Sequence, residues 1–468
     1  MTGIRELPMK STENQLKISR EIAEAVADAG GRAYFVGGMV RDRLAGLPGT
    51  PDADIEVHGI APERLKEILE RFGGAVAVGE SFGIYTIRGG GIDVAMPRTE
   101  KATGRGHRDF ETYVDPFLGV KKAAERRDFT VNSMMEDILT GEIIDSFGGR
   151  ADLEAKILRH VSDRSFPEDP LRVLRGAQFC ARFGLTPAPE TVELCRTIDV
   201  GTLPAERVAG ELKKGLFSGK PSVFFDFLKE TGHLSLLFPE VAALDGLPQD
   251  PLFHPEGDVF VHTMKVLDEA AALRERARQP WPFMLSALFH DLGKATTTSC
   301  GDDGRIHSYG HEKAGAELAE TAVRRITNEK NVIKYVKNAV LMHMMPNTLA
   351  LQNSSVKATN RMFDRSVEPF DLILLGLADS RGIDHGRPYI EAEGYLLERF
   401  EIYERTMAAP HVTGEDLIAA GIKPGPVFRE ALGYAHKLRL AGIPRDNALT
   451  QTLRYAEKAA KEGQQRKK

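Results

Sequence analysis

Asp52 and Asp54 stand one residue apart, shortly after the run Gly37-Gly38-Met39-Val40-Arg41-Asp42. On an extended strand, side chains at i and i+2 share a face, so both carboxylates project together while Ala53, Ile55 and Val57 turn the other way. Two ionised carboxylates side by side repel, and a cation must offset that cost. A pair of Mg²⁺ ions roughly 4 Å apart does so in enzymes that transfer phosphoryl or nucleotidyl groups. Upstream, Tyr34-Phe35-Val36 reads as a short buried strand and Val40 to Ala45 as the start of a helix. Gly37 and Gly38 allow the backbone to approach a phosphate at that turn, and Arg41 adds positive charge. Taken singly, Gly-Gly is equally a plain turn and Asp-x-Asp equally a solvated surface pair. Their order and spacing favour chemistry.

Two further clusters follow. Arg126-Arg127-Asp128-Phe129-Thr130-Val131-Asn132 offers adjacent forked donors suited to a triphosphate or sugar. In Glu168-Asp169-Pro170-Leu171-Arg172-Val173-Leu174-Arg175, Pro170 suits a first helical position and Asp169 an N-cap. Asp169, Arg172 and Arg175 can share one helix face while Leu171 and Leu174 turn into a core. A carboxylate beside a forked donor matches the amino group and ring nitrogen of adenine or cytosine. Guanine and uracil present the opposite order and would leave buried polar groups unpaired, at about 1–3 kcal/mol each.

Later in the chain, His290-Asp291-Leu292-Gly293-Lys294 follows a strongly apolar helix, and His262 lies upstream in Val261-His262-Thr263-Met264. Adjacent His and Asp, an earlier His and a later Asp can converge on one metal in a helical domain. His311 and His343 stand where further ligands or phosphate-binding groups would fit.

The elements that must position these residues change along the chain. The first 150 residues alternate short apolar strands (Ala33–Val36, Ala53–Val57, Ile84–Ile87, Ile92–Ala95, Glu142–Asp145) with helical stretches such as Pro62–Arg71, which is an α/β pattern. The polar stretch from Pro97 to Gly119 reads as a long loop. Beyond about Ser162 helical periodicity takes over, with helices expected at Pro170–Phe183, Ala205–Phe217, Val259–Arg276, Phe283–Phe289, Glu312–Asn328, Val332–His343 and Pro369–Ala378, among others.

With 468 residues, several domains are expected. A hydrophobic content of 42% and a charged content of 28% are those of an ordinary globular protein. Cys180, Cys195 and Cys300 are widely spaced, which suits a reducing cytoplasm and argues against a disulfide framework. The polar start, Met1 to Arg20, is no signal peptide, and no apolar run is long enough to cross a membrane. A net charge of −5 means that any polyanion must be held by local basic patches.

Gly-Gly-x-Val-Arg-Asp, Asp-x-Asp, Arg-Arg-Asp-Phe-Thr-x-Asn and Glu-Asp-x-x-Arg, in that order, closely resemble the class II (bacterial-type) tRNA nucleotidyltransferases and poly(A) polymerases. The resemblance implies an α+β protein: a mixed α/β nucleotidyltransferase head (1–160), then an elongated all-α neck (161–248), body (249–408) and tail (409–468). It implies that Asp52 and Asp54 bind catalytic Mg²⁺ and that Gly38 and Arg41 contact the nucleotide. Arg127, Asp169, Arg172 and Arg175 would complete the pocket, with Asp169 and Arg172 as the protein template for the base. The Pro97–Gly119 segment matches the family's flexible loop, linked to the switch from C to A addition. Gln178 departs from many relatives, which carry a further arginine there. The body resembles HD-type phosphohydrolases, a domain that accompanies many bacterial relatives. By that resemblance His262, His290, Asp291 and Asp379 are metal ligands, for Ni²⁺, Co²⁺ or Mn²⁺.

The expected function is template-independent addition or repair of the tRNA 3′-terminal CCA from CTP and ATP. Its partners are the tRNA acceptor end and the two nucleotides, with no membrane and no obligate protein partner. Addition of A alone or of CC alone, poly(A) polymerisation, and phosphohydrolysis as the main activity are the alternatives. Intact Asp52, Asp54, Asp169 and Arg172 argue against the last.

Overall fold

A computed structural model describes residues 12–47, 53–72, 75–77, 83–87, 91–102, 110–302, 304–383 and 390–465. The chain divides into two compact units, one of Met1–Ser218 with Val223–Leu237 and one of Gly219–Ser222 with Phe238–Lys468.

The first unit is built on a mixed sheet. Its elements begin α1 (Thr12–Asp28), β1 (Arg32–Val36), α2 (Gly38–Leu44), β2 (Ala53–His58), α3 (Pro62–Glu70), β3 (Ala75–Ala77), β4 (Ile84–Ile87) and β5 (Ile92–Ala95). They continue with β6 (Arg98–Ala102), β7 (Phe110–Val114), α4 (Val120–Glu125), α5 (Thr130–Ser133), β8 (Met135–Asp137) and β9 (Ile143–Ile144). The order across the seven-stranded sheet is β3-β4-β5-β2-β1-β8-β9. β1 is flanked by β2 and β8, and its four consecutive buried residues, Ala33 to Val36, are what a strand covered on both faces requires. Ala33 and Phe35 join Ala53, Ile55 and Val57 of β2 in one core. Ile18, Ile22 and Val26 of α1 and Leu65, Ile68 and Leu69 of α3 cover that face, each set at helical spacing. Tyr34 and Val36 turn the other way, onto Ala123 and Ala124 of α4. Asp54, Glu56 and His58 share that second face, because the pleat alternates along β2.

Two expectations need correction. The Pro97–Gly119 segment is not an unpatterned loop. β6 and β7 pair antiparallel from Arg98↔Val114 to Ala102↔Phe110, with residues 103–109 outside the described set. The ribbon was not visible in Arg-Thr-Glu-Lys-Ala because backbone pairing, with no apolar alternation, defines it. The helix after Asp169 is α7 (Leu171–Phe183, counting Gly149–Glu154 as α6), and Pro170 precedes it as the cap residue. Asp169 still accepts a bond from the Leu171 amide at 3.1 Å. Leu171 and Leu174 are buried as expected. α7 lies against Ala205–Leu216, and at Gly176 an added Cβ would come within 3.0 Å of the Phe227 ring, which accounts for the missing side chain.

The second unit is helical except for a short antiparallel ribbon of Ser299–Cys300 with Ile306–His307, which departs from the all-α expectation because backbone pairing alone defines it. Residues 282–289 of the helix Pro280–Phe289 are buried on every side, so it is the central element. Val259–Leu273, His311–Ile326, Lys330–Met342 and Pro369–Arg381 pack near it in the same unit. Asp371 is buried and ties them together. It accepts the backbone N–H groups of Arg278 and Gln279 and the Tyr335 hydroxyl, at 2.7, 3.0 and 2.7 Å. Met344–Leu351, Val356–Arg365, Gly414–Ala419 and Arg445–Gln465 are further helices that the sequence pattern had not suggested. No described helix is long and apolar enough to cross a membrane.

Gly293 occupies a turn pressed against the start of the helix His311–Ile326. A Cβ there would overlap the backbone of His311 and Gly315, which cannot rotate away as a side chain could. Gly293→Ala should therefore cost about 1–3 kcal/mol. Thermal unfolding of the full chain checks this; an unchanged midpoint would contradict the close approach.

Candidate active sites

The first site lies in the sheet-bearing unit, in a cavity of about 430 Å³. Of the residues singled out from sequence, Gly38, Arg41, Asp54, Arg127, Asp169, Arg172 and Arg175 all line it. Asp52 lies outside the described residues. Asp54 is exposed on β2, and its register partner on the parallel neighbour β5 is Asp93. Asp93 accepts a bond from Thr86 Oγ1 at 2.7 Å. Gly37 has a positive φ of 66°, and a Cβ there would sit 3.5 Å from Arg127 Nη1 and 4.0 Å from Asp54 Oδ2. Those are ordinary contact distances, so it is the left-handed conformation that calls for glycine here.

Each arginine is held by a specific acceptor. Arg41 is buried; it donates to Asp42 Oδ1 at 2.8 Å and Asn132 Oδ1 at 2.6 Å, and its guanidinium lies 4.0 Å from the Phe183 ring centre. Burial pulls its pKa down, against the opposing charge of Asp42. Arg127 donates to Glu56 Oε2 at 2.8 Å, and His58 Nε2 lies 2.9 Å from the other oxygen of Glu56. Arg175 donates to Asp128 Oδ2 at 2.7 Å. Asp128 Oδ1 accepts from the Phe129 amide and the Asn132 side chain, at 2.8 and 3.2 Å.

Asp169 and Arg172 do not form a side-by-side pair here. Arg172 donates to the carbonyls of Ser165 and Arg126, at 2.6 and 2.7 Å. Asp169 pairs with Arg207 at 3.2 Å. Arg126 in turn donates to the Arg98 carbonyl at 2.6 Å, so two hydrogen bonds link Arg172 to the base of the β6–β7 ribbon. Gln178 is buried and accepts from Arg182 at 3.3 Å.

Asp128, Asn132 and Arg207 were not picked out as site residues from sequence. Asp128 and Asn132 share a motif with Arg127, and that adjacency was the available signal. Arg207 carried none, because its relation to Asp169 is entirely tertiary.

The second site lies in the helical unit. His262, His290, Asp291 and Asp379 come together: His262 Nε2 lies 3.1 Å from Asp379 Oδ1, and His290 Nε2 lies 3.2 Å from Asp291 Oδ2. His290 Nε2 is buried without a hydrogen-bond partner. On its other side His262 Nδ1 meets Glu256 Oε1 at 2.9 Å, and His254 Nδ1 meets the same oxygen at 2.8 Å. Burial disfavours the charged form of His262, yet its bonds to Asp379 and Glu256 push its pKa up to about 9. Burial and neighbouring His290 push His343 down to about 4. Lys294 Nζ bridges Asp291 Oδ2 and Gln249 Oε1, each at 2.7 Å. Asp291, Lys294, His311, His343 and Asp379 open into a cavity of about 1310 Å³. His254 and Glu256 were missed because His-Pro-Glu falls in a Pro- and Gly-bearing stretch that reads as a boundary.

Residues 33–159 match the family described as Poly A polymerase head domain. Residues 184–244 match the one described as probable RNA and SrmB-binding site of polymerase A. With the sheet-borne site, these make the chain a nucleotidyltransferase with a polymerase-A-type head. A multifunctional CCA protein of Methylococcus capsulatus is 37% identical over 428 residues, 88% of this chain and 95% of its own. Another, of Aromatoleum aromaticum, is 43% identical over 300 residues, 63% of this chain and 70% of its own. The chain belongs to the multifunctional CCA protein family. Its fold matches that of the Bacillus stearothermophilus CCA-adding enzyme in complex with CTP, with a TM-score of 0.63 at 22% identity, over 96% of this chain and 99% of that one. The Thermotoga maritima enzyme complexed with tRNA gives a TM-score of 0.61 at 21% identity, over 95% and 96%.

Burial raises the Asp128 carboxyl, but the charge of Arg175 and the bonds from Asn132 and Arg175 outweigh it and hold the group below its ordinary 3.8. A depressed carboxylate stabilises the fold fully above its unfolded value, and the contribution is lost as pH falls through the folded value. Asp128→Asn should cost about 2 kcal/mol near pH 7, less than a wholly buried pair because Arg175 is partly exposed. Urea unfolding should also show a shallower acid limb below about pH 4 in the variant. An identical acid limb would contradict the pairing.

Proposed function

We propose that the sheet-borne site adds or repairs the 3′-terminal CCA of tRNA from CTP and ATP. The convergence of Asp54 and the arginines on one cavity carries this reading. The head spans 1–160, the neck 161–248, the body 249–408 and the tail 409–468. Asp54, with Asp52 and with Asp93 beside it, forms an oxygen-only ligand set suited to Mg²⁺. Held by these carboxylates, Mg²⁺ would lower the pKa of the terminal ribose hydroxyl and neutralise triphosphate charge. Arg41, Arg127 and Arg175 face the triphosphate and favour the charge that develops as the hydroxyl oxygen attacks the α-phosphorus and pyrophosphate leaves in line. Gly37 and Gly38 keep side chains away from the phosphates.

Asp169 and Arg172 read the base. Asp169 accepts from the exocyclic amino group, and Arg172 donates to the adjacent ring nitrogen of adenine or cytosine. To do so, Asp169 exchanges its bond with Arg207 for one to the nucleotide, and Arg172 leaves the Ser165 and Arg126 carbonyls. The helical neck and tail hold the acceptor arm through shape and phosphate contacts, as suits folded RNA.

Purified protein with Mg²⁺, a tRNA ending before CCA and each nucleotide separately, sequenced at the 3′ end, tests the reading. Incorporation of ATP alone, and only on tRNA ending in CC, would establish A addition; long tails on generic RNA would establish a poly(A) polymerase. Asp54→Ala should lower transfer about 10³-fold or more while tRNA binding persists. Retained transfer would sink the metal assignment. Arg172→Ala should reduce discrimination against GTP and UTP by at least about tenfold, and an unchanged nucleotide preference would refute the template.

The convergence of His262, His290, Asp291 and Asp379 favours a second activity, metal-dependent phosphohydrolysis in the body. The buried Nε2 of His290, which makes no hydrogen bond, suits a borderline divalent ion such as Ni²⁺ or Co²⁺, and the carboxylates of Asp291 and Asp379 also suit Mn²⁺. Such an ion would polarise a phosphate ester and lower the pKa of a bound water. Glu256 fixes the ring of His262, and Lys294 offers charge to a phosphate. Added Ni²⁺ should promote phosphate release from 2′- or 3′-phosphorylated nucleotides, and His290→Ala should abolish it. Release that survives the substitution belongs elsewhere.

A further inference from the structure

The histidine cluster of the body contains more ligands than one ion takes. His290, His311 and His343 each point Nδ1 at a backbone carbonyl three residues earlier: Ala287 at 2.9 Å, Ser308 at 2.8 Å and Val340 at 2.7 Å. A carbonyl only accepts, so Nδ1 carries the proton and Nε2 of each neutral ring carries a bare lone pair. Those of His311 and His343 face each other at 3.2 Å. Two lone pairs so placed repel unless they share a proton or a metal ion accepts both. Two imidazole nitrogens about 2.0–2.1 Å from a common first-row metal ion, at an angle of roughly 100°, lie about 3.2 Å apart.

Asp291 divides its oxygens between the two halves of the cluster. Oδ2 lies 3.2 Å from His290 Nε2 and 3.7 Å from His262 Nε2. Oδ1 lies 3.5 Å from His311 Nε2 and 3.8 Å from His343 Nε2. The ligand atoms of His262, His290 and Asp291 form one compact group within 4.8 Å of one another, and those of Asp291, His311 and His343 form another. Lys294 also contacts Oδ2, which leaves Oδ1 and the second group without a competing cation from that side chain.

We propose that the centre is binuclear. A second divalent transition metal is bound by His311 Nε2, His343 Nε2 and Asp291 Oδ1, and Asp291 bridges it to the ion of the first group. The proposal rests on the reading of His262, His290, Asp291 and Asp379 as a metal site. Both positions border the cavity through Asp291, His311, His343 and Asp379, so a phosphate ester entering it would meet two ions rather than one.

The test counts ions. Full-length protein is stripped with a chelator and reloaded with Co²⁺ in excess Mg²⁺, which occupies the oxygen-only site of the head; bound Co²⁺ is read by native mass spectrometry. Two Co²⁺ per chain are expected in the unmodified protein, one in His343→Gln, and fewer than one in Asp291→Ala. His311→Gln should also hold one, and it serves if the fully buried His343 position does not tolerate glutamine. One Co²⁺ in the unmodified protein, retained in His311→Gln and lost in His262→Gln, overturns the binuclear centre and leaves the mononuclear reading standing. No Co²⁺ at all overturns both.

Discussion

Repulsion among guanidinium groups is the constraint on which the head is built. Arg41, Arg127, Arg172, Arg175 and Arg207 border one small cavity, and they can converge only because each has an acceptor behind it. Asp42 and Asn132 hold Arg41, Glu56 holds Arg127, and Asp128 holds Arg175. Those acids are buried and would be costly alone, so acid and base stabilise each other's placement. Held this way, the N–H donors of Arg41, Arg127 and Arg175 form a field that is fixed before any triphosphate arrives. A preset field of this kind needs little reorganisation during reaction.

The sheet supplies the frame for that field. Alternation along β1 and β2 sends Ala33, Phe35, Ala53, Ile55 and Val57 into the core and leaves Tyr34, Asp54 and Glu56 on the other face. A slip of one residue would exchange the two sets and bury the acids among Ile22, Leu65 and Ile68, so the hydrophobic core fixes the register of the chemistry. In the helical unit, backbone carbonyls play the comparable part. By accepting from Nδ1 they choose the tautomer of three histidines and aim each Nε2 inward.

Much of this was legible in the chain. Strands Ile84–Ile87 and Ile92–Ala95 coincide with their apolar alternation, and the buried helix around Phe283–Phe289 with its continuous apolar run. Less legible were elements defined by pairing or by weak amphipathic faces. The β6–β7 ribbon is polar, and Arg445–Gln465 presents its buried Ala448, Thr452 and Ala456 among charged neighbours. Arg207 and Glu256 escaped because each acquires its meaning from a partner, Asp169 or His262, rather than from its neighbours in sequence.

The sequence alone determined the residue types, their order and the local periodicities. Those are properties of near neighbours, and they sufficed to name the Asp-x-Asp strand, the arginine clusters and the His-Asp pair. Tertiary structure decided which acid faces which base, that Arg172 is tied to Ser165 and Arg126 rather than to Asp169, and that Asp291 stands between two pairs of histidines. The reason is physical. Hydrogen bonds and ion pairs depend on separations of about 3 Å, and between residues tens of positions apart those separations are set by how the core packs.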